Sequence, residues 1–132
     1  MNLVIDTSAL LAVLLGEPER NALIRLTRGA VLMAPGSLRW EVGNALIAGL
    51  RRKRLTLDQV ATAWDSFSLI PLRQVTIAIE RALANAHKLG LYAYDAYILE
   101  AALAQHLPLL SLDQRLIAAA RDLGVEVLEV DR

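Results

Sequence analysis

The chain contains no cysteine. That excludes a disulfide framework, a thiolate zinc site and cysteine-based catalysis, and it suits a reducing compartment. It also lacks an excess of either charge: 14 Lys and Arg side chains balance 14 Asp and Glu. No overall field draws it to nucleic acid, so a charged partner would have to be held by a local patch. Long hydrophobic runs are missing as well; none reaches the roughly 18 residues that a membrane span needs. The opening residues have no basic n-region, and Asp6 interrupts their apolar run, so a signal peptide is not expected. The expectation is a soluble, cytoplasmic protein with no membrane partner. No Gly-rich phosphate loop is present, which disfavours a nucleotide-binding module.

What is present is apolar. Of 132 residues, 55% are hydrophobic, which fits one domain over residues 1–132 with one sizeable core and no disorder. "NLVI" reads as a buried strand ended by a polar break. "SALLAVLLGEPERNALIRLTRG" reads as two helices broken near Gly16 to Pro18, with Pro18 able to start the second. "AVLMAP" is a second strand, and "SLRWEVGNALIAGLRRKR" a helix with a basic last turn. Thr56 and Gln59 are spaced as a capping box for the next helix. "LIPLRQV" predicts an edge-like third strand, because Pro71 lacks an N–H. "TIAIERALANAHKLG" and "AYDAYILEAALAQH" are helices, "LPLLS" a strand, "DQRLIAAARDLG" a helix and "VEVLEV" a last strand. Strands alternating with helices predict an α/β fold with a parallel sheet covered on both faces.

Most acids have plain explanations. Glu17, Glu19 and Asp58 suit first helical turns, and Glu80, Glu100, Asp65 and Asp122 suit solvated helix faces. Glu126, Glu129 and Asp131 fall in the last strand and tail. Four others stand out. Asp6 ends the first strand, where open α/β sheets bind ligands, although it could equally cap the next helix. Glu41 is placed mid-helix on a stripe with Ser37, Leu38, Asn44, Ala45, Ala48 and Arg52; a surface glutamate paired with an arginine is the plainer reading. Asp95 lies among Leu91, Tyr92, Ile98 and Leu99, with no opposite charge nearby in sequence. A carboxylate on such a stripe needs a partner, whether a metal, a tyrosine or a capping role. Asp113 follows the fourth strand, and Ser111 with Gln114 could form a capping box around it. Together, four carboxylates at one sheet edge would repel and take up protons unless a cation joined them. Hard oxygen donors without His or Cys suit Mg²⁺ or Mn²⁺, which support phosphodiester hydrolysis.

The series "VIDTSAL", "WEVGNAL", "YAYDAYIL" and "LLSLDQRL" resembles the PIN domain family, especially the toxin ribonucleases of VapBC toxin–antitoxin pairs. The resemblance spans nearly the whole chain. It implies a three-layer fold whose parallel sheet has about five strands in the order 3-2-1-4-5, so that Asp6 and the Ser111–Asp113 segment flank one crevice. It implies that Asp6, Glu41, Asp95 and Asp113 form the catalytic, metal-binding quartet, with Asp6 and Asp95 as principal ligands and Thr7, Asn44 and Ser111 in support. It further implies Mg²⁺- or Mn²⁺-dependent endoribonuclease activity, an RNA substrate, a VapB-type antitoxin and a homodimer.

The run "RRKR" (residues 51–54) could contact RNA phosphates or simply end a helix. His87 and His106 read as helix-surface residues. A phosphoacceptor receiver domain would want a lysine after its last inner strand, and Lys53 and Lys88 are not so placed. A haloacid-dehalogenase-like phosphatase would need an aspartate where Ser8 stands. The alternative from another class is a PIN-like module that binds RNA or protein with little or no catalysis.

Overall fold

Leu3, Val4 and Ile5 have no polar face to offer water, and all three are buried. They form β1 (Asn2–Ile5), an inner strand of a parallel sheet. The computed structural model describes residues 1–131. Its sheet has the order β3-β2-β1-β4, with β2 spanning Val31–Pro35, β3 Leu72–Val75 and β4 Leu109–Leu110. Every pairing is parallel. As Pro71 suggested, β3 is an edge strand, and Arg73 and Gln74 are exposed on it. The expected fifth strand is reduced to a single bridge between Leu109 and Val127. Two hydrogen bonds hold it, Leu109 N–H to Glu126 O at 2.8 Å and Leu128 N–H to Leu109 O at 3.0 Å. The segment still lies outside β4, where a fifth strand belongs, but β4 is too short to offer it a longer ladder.

Seven helices connect and cover the strands: α1 (Thr7–Leu14), α2 (Arg20–Thr27), α3 (Leu38–Arg51), α4 (Leu57–Ser68), α5 (Ile79–Leu89), α6 (Ala93–Gln105) and α7 (Gln114–Asp122). The break between α1 and α2 falls at Gly16 to Glu19, so Pro18 precedes the second helix by two residues rather than starting it. Thr56 and Gln59 make both bonds of the capping box, at 2.8 and 3.2 Å. Gly90, with φ +67°, ends α5 in the left-handed region that glycine adopts freely, allowing the short turn into α6. Helix α6 packs on β1 and β2 through small residues: Ala96, Ala101 and Ala102 are buried with Ile98 and Leu99. Helix α3 turns Leu38, Val42 and Leu46 inward.

In a parallel α/β layer, a helix entered from the end of a strand begins at the strands' carboxyl edge. Helices α1, α3 and α7 follow β1, β2 and β4 in this way. Helix α6 feeds β4 from the opposite edge and so also begins at the carboxyl edge. Positive helix ends therefore gather there, those of α1, α3, α6 and α7 among them.

Candidate functional site

Strand pairing delivers the first two polar groups. Val4 aligns with Leu109 and Ile5 with Leu110, so the next residue on each chain, Asp6 and Ser111, emerges side by side. The Asp6 N–H donates to Leu110 O at 3.2 Å. Both side chains are buried, and the Ser111 hydroxyl donates to Asp6 Oδ2 at 2.6 Å.

Ser8 repeats the arrangement from the other side. Its hydroxyl reaches both Asp6 oxygens, at 2.8 and 2.9 Å. Each serine then accepts from a backbone N–H of the loop after β4: Leu112 N–H to Ser8 Oγ at 2.9 Å, and Asp113 N–H to Ser111 Oγ at 3.0 Å. Because those loop amides supply the hydroxyls with donors, the hydroxyl protons are directed at Asp6. Asp6 also accepts from Ala9 N–H at 3.0 Å, and so caps α1. The capping reading and the crevice reading of Asp6 thus describe the same carboxylate.

The other acids stand at the other helix starts. Asp113 caps α7, accepting from Arg115 N–H at 2.9 Å and Leu116 N–H at 3.2 Å. This corrects the expected Ser111–Gln114 capping box: Ser111 is occupied with Asp6, and Asp113 is the cap. Glu41 lies in the first turn of α3, not mid-helix, because that helix begins at Leu38. Asp95 lies in the first turn of α6. The sequence showed it no cation, but the fold brings Arg115 near enough to lower its pKa.

Burial and mutual repulsion outweigh the helix ends. The Asp6 carboxyl is pushed up to about 6, mainly by burial; Ser111, Ala9 N–H and Ser8 oppose this, and Asp113 adds repulsion. Burial likewise raises Glu41 to about 7, with Asp95, Asp6 and Asp113 contributing. The Asp95 carboxyl is raised by burial and by Asp113. The Thr7 hydroxyl pulls Glu41 partly down, yet it lies too loosely for a formed hydrogen bond and is a buried group without a partner. The four acids therefore feel one another across a single crevice.

Among the described residues, no three acidic or histidine side chains are already spaced to grip one metal ion. Asp6 in particular directs its lone pairs at two serines and an amide. In kind, the donors fit a hard divalent cation: carboxylate oxygens, an orphaned hydroxyl, and buried like charges that a cation would relieve. Asn44 is exposed, one turn beyond Glu41. His87 and His106 are exposed on α5 and at the end of α6, as expected. Residues 51–54 are exposed at the far end of α3, roughly 15 Å along the axis from Glu41 at 1.5 Å per residue.

Two residues escaped the sequence reading. Along the sequence Ser8 stands out only as the position where a phosphatase would need an aspartate. Glu100, assigned to a solvated face, is 3% exposed on the α5–α6 seam. A signal for Ser8 was available in the Asp-x-Ser spacing at the end of a buried strand. None was available for Glu100, whose cover comes from α5.

Comparison with known proteins agrees with the architecture. The PIN domain model matches residues 3–122. PAE2754 from Pyrobaculum aerophilum superposes with a TM-score of 0.68 at 22% identity, covering 96% of this chain and 89% of that one. VapBC2 from Rickettsia felis, solved bound to a DNA fragment from its promoter, gives a TM-score of 0.68 at 15% identity, covering 99% and 100%. A toxin–antitoxin complex from Klebsiella pneumoniae gives 0.56 at 16% identity, covering 96% of each chain. At these identities the likeness is one of fold. No curated protein matches the sequence.

Proposed function

The chain belongs to the PIN domain family, and from that premise we propose that it is a Mg²⁺- or Mn²⁺-dependent endoribonuclease, the toxin of a VapBC-type toxin–antitoxin pair. The observation that carries this reading is the convergence of Asp6, Glu41, Asp95 and Asp113 on the carboxyl edge of a parallel sheet, with Ser8 and Ser111 fixing the Asp6 carboxylate. Acids held together against their own repulsion are what a divalent cation requires.

In this reading Asp6 and Asp95 are the principal ligands, and Glu41 and Asp113 complete the site directly or through water. Ser8 and Ser111 fix the Asp6 carboxylate in one orientation, and Thr7 stands beside Glu41. When bound, the metal would acidify a water and neutralise charge on the scissile phosphate. The chain's residues orient that chemistry. The loop after β4 is tied to Asp6 through both serines, so Asp113 cannot drift from it. Glu41, whose carboxyl is raised by burial and by its acidic neighbours, would be drawn into its charged form by the same cation and hold it directly or through a water.

An antitoxin of VapB type would be the protein partner, supported by the fold shared with VapBC2 and with the Klebsiella complex. A homodimer and a cytoplasmic setting complete the proposal. Among the described residues, no helix is long and apolar enough to cross a membrane.

The test is cleavage of total cellular RNA and of a mixed-sequence single-stranded RNA in Mg²⁺ or Mn²⁺, beside Asp6→Asn and Asp95→Asn. Loss of cleavage in both variants supports the assignment; equal cleavage by wild type and variants removes it. A second reading, a PIN-like module that binds RNA or protein without cutting, draws on the absence of a ready-made ion cage among the described residues. Wild type that binds RNA but cuts none of it, with either metal, would favour that reading.

A further inference from the structure

The crevice poses an electrostatic problem for an RNA nuclease. Four carboxylates face the place where a polyanion must come, and the chain as a whole carries no net positive charge. The densest basic run, residues 51–54, lies at the other end of α3.

One cation does stand at the crevice. Arg115 is the second residue of α7, two positions after the Asp113 cap. Its backbone N–H serves the cap at 2.9 Å, while its side chain is exposed. Among the described residues that side chain makes no ion pair, although it sits close enough to Asp95 to lower its pKa. Its guanidinium carbon instead lies 6.0 Å from the centroid of the Tyr92 ring. Tyr92 precedes α6, makes no capping bond and is 74% exposed. The pair thus bridges the starts of α6 and α7, the helix that carries Asp95 and the helix that Asp113 caps.

Resting on the nuclease reading above, we propose that Arg115 and Tyr92 are substrate-positioning residues: Arg115 holds an RNA phosphate next to the scissile one, and Tyr92 stacks an unpaired base. The chemistry suits both parts. A guanidinium held 6.0 Å from the ring centroid, at the outer limit of a cation–π contact, keeps its N–H edge free, and that planar fork matches two phosphate oxygens. An exposed tyrosine accepts any base on its face, as proteins that read single-stranded RNA commonly do. Arg115 offsets the Asp95 charge without closing an ion pair on it, so its donors remain available. Its place at the rim also lets it draw a phosphate in without occupying the ligand positions.

The test is single-turnover cleavage of a fluorescein-labelled, mixed-sequence single-stranded RNA in Mn²⁺ by the full chain, over a range of protein and salt concentrations. Arg115→Ala is expected to raise the half-saturating protein concentration about ten-fold while the maximal rate stays within about threefold, and to lower the slope of log affinity against log salt by about one phosphate contact. Arg115→Lys should restore the slope but only part of the affinity, because it keeps the charge and loses the fork. Tyr92→Ala should raise half-saturation about five-fold with the salt slope unchanged. Arg121→Ala removes the same charge from the same helix, away from the crevice, and should behave as wild type. The Asp113 cap uses only the backbone of residue 115, so the thermal midpoint of Arg115→Ala should hold. If wild type cleaves and Arg115→Ala matches it in half-saturation and salt slope, the clamp is wrong and the nuclease stands. If Arg121→Ala weakens binding as much as Arg115→Ala, the effect is general charge and the clamp is again wrong. If wild type neither binds nor cleaves this RNA, both readings fall.

Discussion

Two carboxylates are almost equally hidden in this molecule, and they differ in nearly everything else. Asp6 is 4% exposed and Glu100 is 3% exposed. Asp6 sits at the β1–β4 edge, accepts bonds from two serines and an amide, and feels the charges of Asp113 and Glu41. Glu100 sits on the α5–α6 seam with no hydrogen bond among the described residues, and the charges it feels most are Arg81 and Glu80. It lies just under the surface, at a cleft of about 470 Å³ also lined by Arg81, Asn85 and His106. Both pKa values are raised by burial. Burial and a raised pKa therefore do not by themselves mark a site. Like charges converging, with donors that fix their orientation, separate the crevice from the seam.

Catalysis should split the two regions most widely. Asp6→Asn is expected to lower RNA cleavage by at least about 100-fold, since a lost metal ligand forfeits several kcal/mol of transition-state stabilisation. Glu100→Gln should leave it within about twofold. A large loss in Glu100→Gln at unchanged stability would break the comparison.

Metal response should follow the same line. At pH 8, saturating Mn²⁺ is expected to raise the thermal midpoint by several degrees in wild type and in Glu100→Gln, and by much less in Asp6→Asn. Differential scanning fluorimetry over a metal titration measures this directly.

Acidity gives a smaller, signed effect. In EDTA-treated protein, the folded pKa of Asp6 is about 6 against an ordinary 3.8. The folded state therefore holds that proton more tightly than the unfolded chain does, so its contribution to stability is fully present below about pH 4. It is lost as pH rises through about 6, and Glu41 extends the loss to about 7. The thermal midpoint should fall across that window, and Asp6→Asn should flatten the fall. Added metal competes with those protons, so its effect should grow towards alkaline pH.

The donors around Asp6 and the isolation of Glu100 predict opposite changes of about 1 kcal/mol at neutral pH. Ser111→Ala should destabilise by that order, because it strips a buried carboxylate of a hydrogen bond. Glu100→Gln should stabilise by the same order or less, because it removes a buried charge that Arg81 offsets without a hydrogen bond or ion pair among the described residues. Urea unfolding of the two variants decides it; stabilisation by Ser111→Ala would overturn the reading of the Asp6 network.

Much was legible along the chain. Hydrophobic period and punctuation placed seven helices and four strands near their observed positions, since burial on both faces of β1 and one face of α3 follows from local pattern. The capping box at Thr56 and Gln59 could be read because both partners are three residues apart. Asp6, Asp95 and Asp113 could be singled out because each interrupts an apolar context or follows a strand; Glu41 joined them through the resemblance to the PIN family.

Tertiary structure decided what those acids meet. That Asp6 and Ser111 touch depends on Ile5 pairing with Leu110, a register set over a separation that no local pattern reports. That all four acids stand at helix starts depends on where each helix begins, and for Glu41 that is a shift of one turn. Arg115 reaches the crevice only because α7 follows β4 at the shared edge. Glu100 was misread for the converse reason: a helix face is solvated or buried according to what packs on it, and α5 covers it. The order of apolar and polar residues determines which elements form and which faces turn inward. Contacts between distant residues, and the charge state they impose, exist only once the chain has closed upon itself.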